Sequence, residues 1–230
     1  MTQATPESAP TSTTNRPVLQ SELDSIRSGV MDLAQQVEVA IERSIWGLRE
    51  RNADICTAVI EGDMKINGQH HKIRDMCFHV ILTQAPVARD LRDIQGFEHM
   101  ASELERMADH CVSIARIGRS MTDLPDVPTS EPLGALAELV EAQVRDIMYA
   151  VETHDTIAAR DVARRDSVVD LQYRHLFSTY VEQMTADGSL APRATGLVFV
   201  AHYLERIADR VTNIAEEMIF AETGGLEDLG

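Results

Sequence analysis

The 230-residue chain is long enough for one or two domains, and its 44% hydrophobic content is ordinary for a folded protein with a real core. Only 4% of residues are aromatic, so the core must be filled mainly by Leu, Ile, Val, Ala and Met, which favours helical bundles over β-sandwiches. Thirty-seven acidic against twenty-one basic residues give a formal charge of −16, which opposes nucleic-acid binding and leaves membrane association to protein partners.

Residues 1–19 carry Pro6, Pro10 and Pro17 among Ser and Thr, with no apolar run and a single basic residue, Arg16. They read as a disordered tail and not as a signal. Ser21-Glu22-Leu23-Asp24 has the form of a capping box. Leu23, Ile26, Val30, Leu33, Val37, Ile41, Ile45 and Leu48 follow at steps of three and four, which predicts a first amphipathic helix. A second runs from about Ala53 to Gln84, with Gly62 and Gly68 as weak points. Pro86 marks a turn, and a third helix from about Val87 to Arg119 keeps Leu91, Ile94, Phe97, Ala101, Leu104, Ala108, Cys111 and Ala115 on one stripe.

These three helices make a first repeat over 20–122. Three prolines between Asp123 and Pro132 mark a linker, 123–130, and Ser130 with Pro132 opens a fourth helix. Helices of about 131–154, 156–187 and 192–222 then reproduce the first three as a second repeat over 131–222, before a flexible end at 223–230. The expected fold is all-α, a six-helix bundle made of two tandem three-helix repeats. No apolar run reaches the 18 or so residues of a membrane span. Cys56, Cys77 and Cys111 are odd in number and lack CxxC spacing, so a disulfide framework or thiolate zinc site is not indicated and a reducing cytoplasm fits best.

The duplication is plainest at Leu104-Glu105-Arg106-Met107-Ala108-Asp109, which returns as Leu204-Glu205-Arg206-Ile207-Ala208-Asp209. Positions i and i+4 share a helix face, so each copy sets a Glu beside an Asp, at a cost of roughly 0.2–0.5 kcal/mol. A second pair lies on the preceding helix: Asp166 and Asp170 in the second half, Asp63 and Asn67 in the first. Neighbouring antiparallel helices can bring the pairs together across a groove. Oxygen-rich clusters of this kind suit hard cations. His202, three residues before Glu205, adds a possible nitrogen ligand that Ser102 does not supply in the first half. Arg106, Arg206, Arg210 and their neighbours offer the plainer account, salt bridges within the bundle. Asp90 and Arg92, just after Pro86, read as first-turn charges with a secondary partner-binding role. His70-His71 reads as surface, because adjacent helix residues diverge by about 100°.

With these residues in view, the chain resembles the PhoU family of phosphate-uptake regulators over roughly 20–222. The two Glu-Arg-Met/Ile-Ala-Asp motifs, Asp166-x-x-x-Asp170 and Pro86-Val87-Ala88-Arg89-Asp90-Leu91-Arg92 carry the likeness. It implies the six-helix fold of two repeats, and metal ions or clusters on the carboxylates: iron, manganese, magnesium or zinc. It also implies a cytoplasmic negative regulator that couples the phosphate ABC transporter, through its ATPase subunit, to the sensor histidine kinase of the phosphate regulon, not an enzyme, with a homodimer possible. Asn67 departs from the repeated acid, and Ala108 and Ala208 stand where Gly is frequent. Two other readings compete, a ferritin-type di-iron oxidase or storage protein and a metal-free helical adaptor. The first expects Glu-x-x-His on two helices, which this chain lacks.

Overall fold

The computed structural model describes residues 16–124 and 131–230. Seven α-helical segments follow in order: α1 (Arg16–Arg49), α2 (Ala53–Gln84), α3 (Arg89–Ser120), α4 (Glu131–Thr153), α5 (Thr156–Ala163), α6 (Asp166–Ala186) and α7 (Ala191–Thr223), with a 3-10 turn at Gly188–Leu190. The chain stays right-handed through Arg164 (φ −59°, ψ −21°) and Arg165 (φ −74°, ψ −11°). There Arg165 N donates to Val162 O at 3.0 Å, so α5 and α6 are one helix with a tightened turn in it. Among the described residues the fold is therefore all-α, six helices in two repeats of three, as expected, with the fifth interrupted.

Two expectations shift at the edges. The first helix begins at Arg16, not at the Ser21 capping box, because Leu19 is buried and extends the apolar stripe back by one turn; Pro17 is tolerated in a first turn, where its missing N–H has no intrahelical partner. Gly62 and Gly68 do not interrupt α2. Residues 1–15 of the expected tail, and 125–130 of the expected linker with Ser130, lie outside the described residues.

The turns between the first two helices of each repeat match as well. Arg51 (φ 53°) precedes Asn52, whose side chain accepts from Asp54 N and Ile55 N; His154 (φ 55°) precedes Asp155, which accepts from Ile157 N and Ala158 N. A left-handed residue followed by an Asx cap reverses the chain at both places and satisfies the first free N–H groups of the next helix.

α3 and α7 are the central pair. Each packs against the other and against the remaining helices of its own repeat, while α1 and α4 meet across the repeats. Gly96 of α3 lies against Ala221, and Gly196 of α7 against Met121, so the pair is antiparallel and the two glycines admit close approach at opposite ends. The seam is almost continuous hydrocarbon, from Ile94, Phe97, Ala101, Leu104, Ala108, Cys111 and Ala115 on α3 to Leu197, Ala201, Leu204, Ala208, Val211 and Met218 on α7. Burial of this stripe, at about 25 cal/mol per Å² of apolar area, holds the motif-bearing helices in fixed register.

After Gly224 (φ 75°) ends α7, residues 225–230, read from sequence as part of a flexible end, fold back on the bundle. Arg160 donates to both Glu227 oxygens at 2.8 and 2.6 Å, and Leu229 N donates to Glu216 Oε1 at 2.8 Å. Among the described residues no helix is long and apolar enough to cross a membrane. All three cysteines are buried and unbridged.

Candidate functional site

Each repeat sets the third-helix Glu and Asp opposite an acidic stripe on its second helix. In the first half Asp63 of α2 lies within electrostatic reach of Asp109 and Glu105 of α3. In the second, Asp166 and Asp170 of α6 are coupled to Asp209 and Glu205 of α7. The packing brings Asp63, Glu105 and Asp109, and Asp166, Asp170, Glu205 and Asp209, within electrostatic reach of one another.

Burial first, and neighbouring carboxylates second, raise the pKa of Asp63, Glu105 and Asp166, with Asp166 pushed up to about 6. The same two causes push Glu205 up to about 7, against a partial counter-effect from Arg206. Burial also raises Asp209, although Arg206 and Arg210 act to lower it. These groups disfavour their own negative charge, the condition a bound cation would relieve.

Asn67 tightens the first cluster. Its Nδ2 donates to Asp63 Oδ2 at 2.9 Å, which leaves Asn67 Oδ1 directed elsewhere. That oxygen and Asp63 Oδ1 are buried without a hydrogen-bond donor, and so are Asp166 Oδ1 and Glu205 Oε2 in the second half. Two orphaned oxygens in each cluster, on four of the nine residues singled out as ligands, are compatible with an electropositive guest, although buried side-chain oxygens without a hydrogen bond occur outside the clusters too, at Glu22 and Gln143. Oxygen donors of this kind suit a hard or borderline cation. As placed, no three His, Cys, Asp or Glu side chains among the described residues converge closely enough to hold an ion, so closing round one takes a change of carboxylate rotamer.

Arginine accounts for part of the arrangement. Arg206 Nη1 donates to Asp209 Oδ2 at 2.8 Å, and Arg174 lies 3.7 Å from Asp170. Arg106 instead donates at 2.8 Å to Glu103, a buried carboxylate. His202 Nδ1 stands 3.3 Å from Glu205 Oε2, within ion-pair range but not aligned as a hydrogen bond. His70, read from sequence as surface, is half-buried, with Nε2 3.3 Å from Ser102 Oγ; His71 is exposed as expected.

Asp90 and Arg92 make contacts within the chain. Asp90 accepts from Arg16 at 2.5 Å, and Arg92 Nε donates to Ala221 O at 3.3 Å near the end of α7. Close by, Arg89 donates to Glu222 at 2.7 Å and the same carboxylate meets His154, so this end of the molecule ties α3, α7 and the α4–α5 turn together.

Between the two clusters, along the α3–α7 seam, lie residues that spacing on one helix does not expose. Glu103 accepts from Arg210 at 3.2 Å and from Asn213 at 2.9 Å, and His110 stacks on Tyr203 with ring centroids 5.6 Å apart. Burial first, then Arg210 and Arg206, lower the His110 pKa to about 4.

A family model described as PhoU domain matches residues 30–118 and again 133–218. Over 206 residues the chain is 31% identical to the phosphate-specific transport system accessory protein PhoU homolog of Zymomonas mobilis, covering 88% of this chain and 86% of that one. It is 28% identical to the phosphate-specific transport system accessory protein PhoU of Escherichia coli, covering 89% and 85% of the two chains. Among solved structures, PhoU from Pseudomonas aeruginosa superposes with a TM-score of 0.87 at 25% identity, covering 90% of this chain and all of that one. The phosphate transport system regulatory protein PhoU from Streptococcus pneumoniae gives 0.85 at 26%, covering 91% and 99%.

Proposed function

The chain belongs to the PhoU family, and from that premise we propose that it is a regulatory accessory protein of phosphate transport, acting in the cytoplasm by binding other proteins and not by catalysis. Near-complete coverage of relatives named as phosphate-specific transport accessory proteins carries this reading. Its finer form is a negative regulator that couples the ATPase subunit of the phosphate ABC transporter to the sensor histidine kinase of the phosphate regulon. The net charge of −16 supports protein partners over nucleic acid or an anionic membrane surface.

The same reading gives the two carboxylate clusters a resident metal ion, iron, manganese, magnesium or zinc. Asp63, Asn67, Glu105 and Asp109 would hold it in the first half, and Asp166, Asp170, Glu205, Asp209 and His202 in the second. The ion supplies positive charge that screens the carboxylates and links two helices of a repeat. The chain's own residues do the rest: the α3–α7 seam fixes the height of the Glu and Asp pairs, and Asn67 orients Asp63 through its amide. Four orphaned oxygens divided equally between the clusters are the observation behind this assignment. The arginine pairs to Asp209 and Asp170 favour the metal-free adaptor in the second half alone.

Deletion of the gene tests the regulatory reading. Starvation genes should be expressed at high phosphate in the deletion strain, and co-purification of the tagged chain should recover the kinase or the transporter ATPase. Normal repression together with no recovered partner would remove it.

A further inference from the structure

Past α7 the chain turns back on the bundle. Gly224 takes a left-handed conformation (φ 75°), and Gly225 N donates to Thr223 Oγ1 at 3.1 Å. Residues 225–230 have no secondary structure of their own, and from Leu226 onward their burial alternates. Leu226, Asp228 and Gly230 are exposed while Glu227 and Leu229 are partly buried, the period of two that an extended segment shows when one side of it is read. Arg160 of α5 holds both Glu227 oxygens, at 2.8 and 2.6 Å, and Glu216 of α7 accepts from Leu229 N at 2.8 Å. The Leu229 side chain packs on the core. One turn before Glu216, Thr212 is only 5% exposed, and its Oγ1 has no hydrogen-bond partner. A Cβ on Gly230 would stand 3.2 Å from Thr212 Cγ2, so the segment reaches that level and leaves the hydroxyl unpaired.

On these contacts, and resting on the protein-binding reading above, we propose that the groove between α5 and α7 is a docking site for an extended Glu-x-Leu segment of a partner protein, held shut by this chain's own Glu227-Asp228-Leu229. The contacts are those by which extended peptides are recognised: a bidentate guanidinium for the acid, an acceptor for the main chain, and an apolar seat two residues on. The duplication puts Thr57, Arg116 and Val112 where Arg160, Glu216 and Thr212 stand. The carboxylate reader, the amide reader and the buried hydroxyl therefore belong to the second half alone and are not a requirement of the repeated fold. The strap is built to release. Both side chains of its ion pair stay partly exposed, where water and salt weaken such pairs, and Gly224-Gly225 leaves backbone freedom at the hinge. Tethering nevertheless gives it an effective concentration on the order of millimolar, so a free segment meets a mostly closed groove. The unpaired Thr212 hydroxyl offers a partner segment one hydrogen bond that the strap does not make. Two chains of charge −16 repel, which favours a partner protein over the strap of a second copy.

The probe is a fluorescein-labelled peptide, Gly-Gly-Leu-Glu-Asp-Leu-Gly, added to the full chain and followed by anisotropy, with circular dichroism confirming that each variant is folded. Glu227→Ala with Leu229→Ala opens the groove without touching the residues that line it, and should bind the peptide at least ~10-fold more tightly than wild type. Adding Arg160→Glu should abolish that binding, and a peptide carrying Glu227→Arg should recover it. The opened chain should also bind the sensor kinase or the transporter ATPase more tightly than wild type does, in competition with the peptide. No peptide bound by the opened chain, binding indifferent to Arg160, or partner binding that neither the opening nor the peptide alters overturns the docking site and leaves the regulatory reading standing. A wild-type dimer that the opening substitutions dissolve gives the groove to a second copy and overturns the partner assignment. Peptide binding with neither the kinase nor the ATPase bound by either form overturns the regulatory reading, and the partner with it.

Discussion

Arg210 of α7 donates a hydrogen bond across the seam to Glu103 of α3 at 3.2 Å, and among the described residues this pair joins the duplicated helices through buried opposite charges. The repeat makes Tyr203 the counterpart of Glu103 and His110 the counterpart of Arg210, and those two stack instead. The internal symmetry is therefore broken at its centre: one side of the seam carries an ion pair, the other a ring stack.

Glu103→Ala should consequently be among the costliest single changes on α3. The Glu103 side chain is 2% exposed and that of Arg210 15%, so truncation strands a guanidinium that cannot rehydrate fully, at a cost of about 3 kcal/mol. Urea unfolding would show this as a lower midpoint with an unchanged slope. A shift of only a few tenths of a kcal/mol would mean that Arg210 turns to Asp209, 4.0 Å away.

The raised carboxylates of the second cluster make metal-free stability fall as pH rises. Glu205 ionises near 7 in the fold against an ordinary 4.5, and Asp166 near 6 against 3.8. Between those values the folded state binds more protons than the unfolded state, so folding loses ground with rising pH and bears the full repulsion above about 7. Asp166→Asn with Glu205→Gln removes that burden. Because both groups are partly solvated, the gain at pH 8 is on the order of 1 kcal/mol, or about 2–4 °C in Tm. It should shrink to below half at pH 5 and disappear only as pH falls below the ordinary carboxylate values of 3.8 and 4.5. An equal gain at both pH values would assign the effect to packing and not to charge.

Glycines separate close approach from simple helix weakness. A Cβ at Gly196 would overlap Met121 Sδ and press on Ile117 Cγ2 at 3.2 Å, whereas one at Gly62 or Gly68 meets nothing within 4 Å. Gly196→Ala should cost about 1–3 kcal/mol by overpacking. Gly62→Ala and Gly68→Ala should each gain about 0.5–1 kcal/mol from helix propensity. Thermal unfolding of the three variants checks the opposite signs.

What could be read in advance depended on whether one helix held the information. Glu105, Asp109, Glu205 and Asp209 were legible because i,i+4 spacing fixes a shared face without reference to any neighbour. Asp63 and Asp166 followed from the duplication, although the separation there is 103 residues and that of the Glu-Asp motifs 100; the difference is taken up at the end of α2 and the start of α3, which run further from Asp63 and Glu105 than the ends of α6 and α7 do from their counterparts. His70 was not legible. Which of two adjacent histidines faces α3 depends on the α2–α3 register, and helical period alone makes both equally good surface residues. Glu103 was hidden for the same reason, since its partners Arg210 and Asn213 lie 107 and 110 residues away and it is one acid among thirty-seven in the chain. The Ser21 box misplaced the first helix start because a capping pattern cannot compete with a buried Leu19 one turn earlier.

Metal binding at the second cluster should release protons near neutral pH. A ligand carboxylate must be ionised to bind, and Glu205, with a pKa of about 7, is still largely protonated at pH 6.5. Asp166, at about 6, adds a smaller share. Titration calorimetry with Mn²⁺ in two buffers of different ionisation enthalpy should therefore give heats that differ at pH 6.5 by about one proton per second-half ion, and converge by pH 8. Asp170→Asn with Asp209→Asn should abolish both the second-half ion and the buffer dependence, with helicity intact, because it removes one carboxylate from each of the two helices. Buffer-independent heats at pH 6.5 with the ion still bound would remove Glu205 from the ligand set. Unchanged metal content in the double variant would move the ion away from this cluster and leave Arg206 as the cation that Asp209 was built to meet.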